Sequence, residues 1–327
     1  MNFDLSDEQR ALAAAAADFF GSAASPGAAR ASLDDGAPIA PGRKAIADTG
    51  FAAITVPESC GGGGGSILDL AVVAEQAGRV IAGPSLVTAA RVAVLLEGDD
   101  ARLAAFADGS AAYAVIEEND GPVLDATTAD RFLAFRDGKI VEGTGSITER
   151  APIDATRGLA DVTLDDPTVV NDDAVARWEH ALHVGQIVLA AEGLGTASKA
   201  LEVALDYAKQ RVAFGRQIGS YQAIKHSLVD AFVGVEQLRS LVWWAAWTAD
   251  ESLHELPLAA AAAKGTAAVV LDSTAETLVQ VHGGIGFTWE HDAHLYWRRA
   301  KVDRFLLGDD VEAFDTVARL AIAAASA

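Results

Sequence analysis

The chain has 327 residues, enough for two or three domains with buried cores, and 51% of them are hydrophobic, which excludes a disordered or fibrous protein. With 46 acidic against 25 basic residues the formal charge is −21, so nucleic acid and anionic membrane are excluded as partners by repulsion, and a site for an anionic substrate must gather its few cations locally. One cysteine, Cys60, rules out an intramolecular disulfide and a cysteine metal cluster.

The stretch from Met1 to Arg10 carries three acids and one arginine, unlike a signal or transit peptide, and no apolar run approaches the ~20 residues that span a bilayer. A cytoplasmic location is expected. Ser6, with Gln9 three residues on, predicts a helix start, and the alanine-rich helix runs to about Phe20. A second helical stretch covers about 42–49, and a glycine run at 61–65 follows. No Lys-Ser/Thr follows that run, and Ser66 breaks the G-x-G-x-x-G spacing, so a flexible surface turn is expected there rather than a phosphate loop. Helical spacing returns over 66–80 and 84–96.

Between 109 and 166 the texture changes. Short runs such as Tyr113-Ala114-Val115-Ile116 and Arg131-Phe132-Leu133-Ala134-Phe135 alternate with turn signals at Asp120-Gly121-Pro122 and Asp137-Gly138, the mark of a small β segment. From Asp173 the chain reads as helical, over about 174–210, 221–253 and 256–282, with a shorter pair after Glu290 and Val311. The order helical, β, helical predicts an α+β fold, divided as 1–108, 109–168 and 169–327.

Two stretches stand out from this background. One runs Gln210-Arg211-Val212-Ala213-Phe214-Gly215-Arg216 and on through Gln222 to Asp230. It reads as a helix end, a cationic turn and a new helix, and it concentrates Arg211 and Arg216 in an acidic protein. The other, Gln280-Val281-His282-Gly283-Gly284-Ile285-Gly286-Phe287-Thr288-Trp289-Glu290, is a helix stopped by glycines that let a ligand approach the backbone. On spacing alone they are either a phosphate site or two ordinary helix connections. His291 and His294 are three apart, suiting a metal site or a solvated helix face. No G-x-S-x-G elbow accompanies the serines and histidines. Trp243, Trp244 and Trp247 suit core or interface better than base stacking.

Both stretches resemble the signature segments of the acyl-CoA dehydrogenases, R-x-x-F-G-x-x-I-x-x-x-Q-x-I and Q-x-x-G-G-x-G-[FY]-T-x-E. The run from Phe3 to Arg10 and the run over 50–70, with Val56-Pro57-Glu58 before the glycines, are similar to that family too, so the likeness spans nearly the whole chain. It implies an acyl-CoA dehydrogenase-like fold of N-terminal helical domain, small middle β domain and C-terminal four-helix bundle, with FAD held at a subunit interface.

The family's contacts to a neighbouring subunit's FAD map onto Arg211, Phe214, Gln222, Gln280, Gly283 and Gly284. The contacts to a subunit's own flavin look eroded. Where the family carries T-E-P-x-x-G-S this chain reads Ile116-Glu117-Glu118-Asn119-Asp120-Gly121-Pro122, no W-x-T-N follows, and the β segment is short. The final E-G-T aligns with Leu307-Gly308-Asp309, so the catalytic glutamate position holds Leu307. The alternative base position on an earlier helix falls on Gly185, and an arginine common beside it is Gln186.

Abstracting the α-proton of an acyl thioester needs a carboxylate within hydrogen-bond reach and with a raised pKa, and leucine accepts no proton. Asp309 and Glu192 are the candidate substitutes; Glu290 and His291 flank the second signature. The resemblance therefore implies a base-less subunit of a heteromeric acyl-CoA dehydrogenase, like the short glutamate-less subunits of actinobacterial steroid-type enzymes. Its partners would be a homologous subunit carrying the glutamate, an acyl-CoA substrate and an electron-transfer flavoprotein. The alternatives are a homo-oligomeric flavoenzyme with a displaced acid and a non-catalytic scaffold.

Overall fold

The computed structural model describes residues 4–118, 121–172 and 174–326; Met1, Phe3, Asn119, Asp120 and Asp173, used above, lie outside them. The fold is α+β, with helical, β and helical segments in that order. Ser6 caps α1 (Asp7–Ala23): its hydroxyl accepts from the Gln9 amide at 3.1 Å, and the Gln9 side chain accepts from the Ser6 amide at 3.0 Å. Two short helices follow, α2 (Pro26–Asp35) and α3 (Arg43–Thr49), then α4 (Ile67–Arg79), α5 (Leu86–Leu95) and α6 (Asp100–Ala107). Gln9 Nε2 also donates to Asp69 Oδ1 at 3.0 Å, inside the capping box that starts α4, so the two helix starts are fastened together.

The glycine run is not the loose turn its composition suggests. The amides of Gly63 and Gly65 donate to the carbonyls of Ala53 and Ile54 (2.9 and 2.8 Å), and a Cβ on Gly62 would stand 2.2 Å from the Val56 carbonyl oxygen. These glycines let two backbone turns touch.

The middle sheet has four strands in the order β1 (Tyr113–Ile116), β2 (Arg131–Arg136), β3 (Lys139–Glu149) and β4 (Ala160–Asn171); β1 and β2 are parallel and the other pairs antiparallel. Alternation splits its apolar residues. Tyr113, Val115, Leu133 and Ile140 pack toward α5, α6 and Trp178, while Ala114, Phe132, Ala134 and Val141 form a small core on the other face.

Four long helices, α7 (Val175–Gln210), α8 (Gln222–Glu251), α9 (Leu256–His282) and α11 (Asp310–Ala325), make the C-terminal bundle with the shorter α10 (Ala293–Asp303). Trp243 and Trp244 are half-buried against its core. α7 is its central post and also carries the N-terminal domain. A Cβ on Gly78 of α4 would lie 1.9 Å from the Glu192 carbonyl oxygen, and one on Gly195 would lie 1.8 Å from that of Glu75. Only backbone fits at this crossing, and the Thr196 hydroxyl seals it by donating to the Gly78 carbonyl at 2.9 Å. Among the described residues no helix is long and apolar enough to cross a membrane.

A buried charge network joins the three segments. Arg157, 1% exposed, donates to both carboxylate oxygens of Asp303 on α10 (2.8 and 2.6 Å) and to Glu192 on α7 (2.5 Å). Glu192 also accepts from the Ser85 hydroxyl (2.8 Å) and the Leu86 amide (3.0 Å). Beside them Arg299 pairs with Asp154 (2.5 Å). Burial opposes the charge on Arg157, but Asp303 and Glu192 outweigh it and hold the guanidinium's pKa well above its usual value.

Candidate functional site

The two positions where the sequence lacks a base come together in space. A Cβ on Gly185 would lie 2.9 Å from Leu307 Cδ1 and 2.7 Å from Arg91 Cδ, so Gly185, Leu307 and Arg91 enclose one point. Leu307 sits at φ +57° and Gly308 at +92°, a left-handed turn whose first residue is strained for a branched side chain. The turn is fixed from both sides: Gln186 Nε2 donates to the Leu307 carbonyl at 2.9 Å, and Lys264 Nζ donates to the Arg304 carbonyl at 2.9 Å. Burial pushes Lys264 down to about 8 against the pull of Asp303 and Asp310.

The space around this point is filled. Arg91, 3% exposed, forms a two-pronged pair with Glu117, and its guanidinium lies 5.4 Å from the ring centre of Trp178, which stacks on Phe135. Outside this plug a cleft of about 590 Å³ opens, with Trp178, Leu182, Ala261 and Leu307 as apolar walls. Its rim carries Glu117, Glu118, Glu179, Asp309 and Glu312 against Arg319. His183 on the same wall is pushed below its usual pKa by burial. An acidic rim repels the phosphates of a CoA ester.

The two substitute acids are placed differently: Asp309 lines the cleft and Glu192 does not. Asp309 is the N-cap of α11, accepting from the Glu312 amide at 2.9 Å, and Glu192 is spent in the Arg157 network, buried away from the cleft. Sequence reading missed Arg91 and Trp178, because their partners lie far along the chain. Glu117 was legible only as an altered motif.

The other signature residues gather at the far end of α7, which rises ~1.5 Å per residue and so separates Gly185 from Gln210 by roughly 37 Å. Arg211 caps α7, its amide donating to the Tyr207 carbonyl at 2.8 Å, and its side chain is exposed, with no ion pair or hydrogen bond among the described residues. Phe214, at φ +52° and 97% exposed, forms the tip of a two-residue hairpin whose Arg216 covers the Tyr221 ring at 3.9 Å. Gln222 opens α8 and lies 3.5 Å from His226 Nε2.

Gln280 is exposed near the end of α9. Gly283 follows at φ +65° and ψ −145°, a conformation essentially confined to glycine, and nothing lies within 4 Å of where a Cβ on Gly283 or Gly284 would be. Tyr207 and His282 stack with ring centres 4.0 Å apart, bringing the two signatures to one face. His291 Nδ1 accepts from the Ala293 amide (3.1 Å) and His294 Nδ1 from Arg298 Nε (3.2 Å). Among the described residues no three His, Cys, Asp or Glu are placed to hold a metal ion. Glu290 is exposed on the same loop.

Two family models match the chain, the acyl-CoA dehydrogenase N-terminal domain over residues 6–101 and its C-terminal domain over residues 175–322. The chain is also 34% identical over 302 residues to acyl-CoA dehydrogenase IpdE2 of Mycobacterium tuberculosis, covering 90% of this chain and 91% of that one. The chain belongs to the acyl-CoA dehydrogenase family. The fold agrees throughout. The Tcur3481-Tcur3483 steroid ACAD superposes with a TM-score of 0.83 at 24% identity, covering 98% of this chain and 99% of that one. The ChsE4-ChsE5 complex of M. tuberculosis gives 0.82 at 22% identity, covering 98% of each chain.

This is an FAD-dependent oxidoreductase fold. The exposed face at Arg211 suits FAD in its donor set: an unpaired guanidinium for a pyrophosphate, two carboxamides for hydroxyls, and a bare glycine backbone for close approach. The plugged pocket does not suit a flavin ring or an acyl thioester, because Arg91, Glu117 and Trp178 fill it.

Proposed function

We propose that this chain is the base-less subunit of a heteromeric acyl-CoA dehydrogenase, joined to a homologous subunit that carries the catalytic glutamate. The observation that carries the reading is the meeting of Leu307 and Gly185 at one point closed by Arg91, while the Arg211 face stands open roughly 37 Å away along α7. One end of the chain is therefore closed to a flavin, while the other end serves the partner's. Arg211, Phe214, Gln222, Gln280, Gly283 and Gly284 complete the partner's FAD site. FAD held there would supply the acceptor for the β-hydride of an acyl-CoA, and the partner's glutamate would take the α-proton. This chain's residues hold the dinucleotide end and exclude water from it, and they move no proton. The 2,3-enoyl-CoA is the product, and an electron-transfer flavoprotein takes the electrons.

Both structural relatives named above are titled as two-protein assemblies, and one as a steroid enzyme, which supports a hetero-oligomer acting on a bulky CoA ester such as a steroid side chain. Exposed Phe214, Phe287 and Trp289 beside the FAD-facing turns give the partner an apolar surface to cover.

Arg211→Ala in the assembled complex tests the cofactor half of this reading. Removing a charged hydrogen-bond partner of a phosphate costs about 2–3 kcal/mol, so FAD should dissociate roughly 30- to 150-fold more readily, with complex yield unchanged. Unchanged flavin content after gel filtration would remove Arg211 from the site.

A further inference from the structure

We propose that Tyr207, His282 and His291 form an aromatic clasp that sets the distance between the Gly283-Gly284 turn and Arg211, making these three the positioning residues of the dinucleotide site. The inference rests on the reading above and extends it to residues that do not themselves face the ligand.

Nothing packs against Gly283 or Gly284 on the side a Cβ would take, while Gly286 beyond them lies against Val279 and His282, and Phe287 meets the Trp297 ring edge-on at 5.3 Å. The open glycine pair is therefore placed by what holds its two stems. His282 is the last residue of α9, and His291 closes the loop after Glu290. Their rings lie 4.2 Å apart and pinch the loop at its base. The third ring, Tyr207, stacks on His282 at 4.0 Å with 26° between planes and meets His291 edge-on at 6.5 Å. Tyr207 is also the residue whose carbonyl accepts from the Arg211 amide at 2.8 Å. One stack thus links the backbone at Arg211 to both ends of the glycine loop.

The histidines are oriented for this task. His282 Nδ1 donates to the Leu278 carbonyl at 2.8 Å, which assigns the proton to Nδ1 and leaves Nε2 buried without a hydrogen-bond partner among the described residues. His291 Nδ1 accepts from the Ala293 amide, which fixes its ring in turn. A second, independent tether holds the far side of the loop: Arg30 of α2 donates to the Trp289 carbonyl and pairs with Asp292. Loss of the clasp therefore shifts the turn without releasing the whole loop.

The test uses the co-expressed complex and compares Tyr207→Ala, Tyr207→Phe and His291→Ala with Arg211→Ala. FAD release is followed by the rise in flavin fluorescence on dilution, and assembly is followed separately by gel filtration. A stacked ring pair contributes ~0.5–1.5 kcal/mol, so Tyr207→Ala should release FAD up to about tenfold faster from a complex that assembles normally. Tyr207→Phe, which keeps the ring, should restore the slow rate. Should Tyr207→Ala fail to assemble, His291→Ala at the half-buried second stem carries the same expectation. Release at the native rate in the alanine variants, with Arg211→Ala still fast, would overturn the clasp and leave the assigned FAD face standing. Equal loss in Tyr207→Ala and Tyr207→Phe would also overturn it, because stacking would not be the cause. A native rate in Arg211→Ala as well would sink the FAD face itself.

Discussion

Arg157→Leu is expected to destabilise the chain by about 3–5 kcal/mol, the cost of breaking a buried ion pair by removing one partner. The leucine would leave Asp303 without either of its guanidinium bonds and Glu192 with only the Ser85 hydroxyl and the Leu86 amide. These acids are almost wholly enclosed, so water cannot take the arginine's place. The effect should appear as a lower urea midpoint at an unchanged slope. Arg10→Ala is the control. Its pair with Asp7 lies on the surface, and the substitution should change the stability by less than ~0.5 kcal/mol. An Arg157→Leu protein as stable as this control would mean that the network does not hold the three segments together.

Leu307→Glu is expected not to create an active dehydrogenase from this chain alone, although it restores the family's carboxylate. Leu307 Cδ1 and the Arg91 stem both reach the space above Gly185, so a glutamate there lies beside the guanidinium. An opposite charge at 4–6 Å lowers a carboxyl pKa by ~1–3 units, whereas this reaction needs a base whose pKa is raised. Arg91, Glu117 and Trp178 also fill the space beside Leu307, and the acidic residues of the cleft outside it disfavour the phosphates of a CoA ester. Turnover should stay at background, the ~10²–10⁴-fold contribution of a placed base being absent, as followed by reduction of an artificial electron acceptor. An active, yellow Leu307→Glu chain would show that only the missing glutamate silences this pocket.

Local signals in the sequence were strong where structure is local. The Ser6 and Gln9 capping box, the helix stop at Gly283 and the short apolar run within Arg131–Arg136, closed by the turn signal Asp137-Gly138, all act over a few residues, and the fold follows them. Two short helices escaped notice although they carry caps. Ser25 with Pro26 starts α2, and Asp99 starts α6, but ten and eight residues are too few to display a helical period. The glycine run is a turn at the surface, as its composition suggests, but composition says nothing of the backbone at 53–57 that it touches.

The site divided in the same way. Arg211, Gln222, Gln280 and the glycine pair sit in two contiguous motifs and could be found by their spelling. The plug could not, because Arg91, Glu117 and Trp178 meet only after α5, β1 and α7 have packed. Glu192 shows the reverse case. It read as a spare acid on a helix until folding brought Arg157 to it from the middle segment.

The most direct test of the central claim is acyl-CoA dehydrogenation by this chain purified alone, set beside its complex with a homologous subunit that keeps its glutamate. The account predicts a colourless, inactive chain and a flavin-loaded, active complex. Full turnover by the lone chain, with FAD retained, would contradict it.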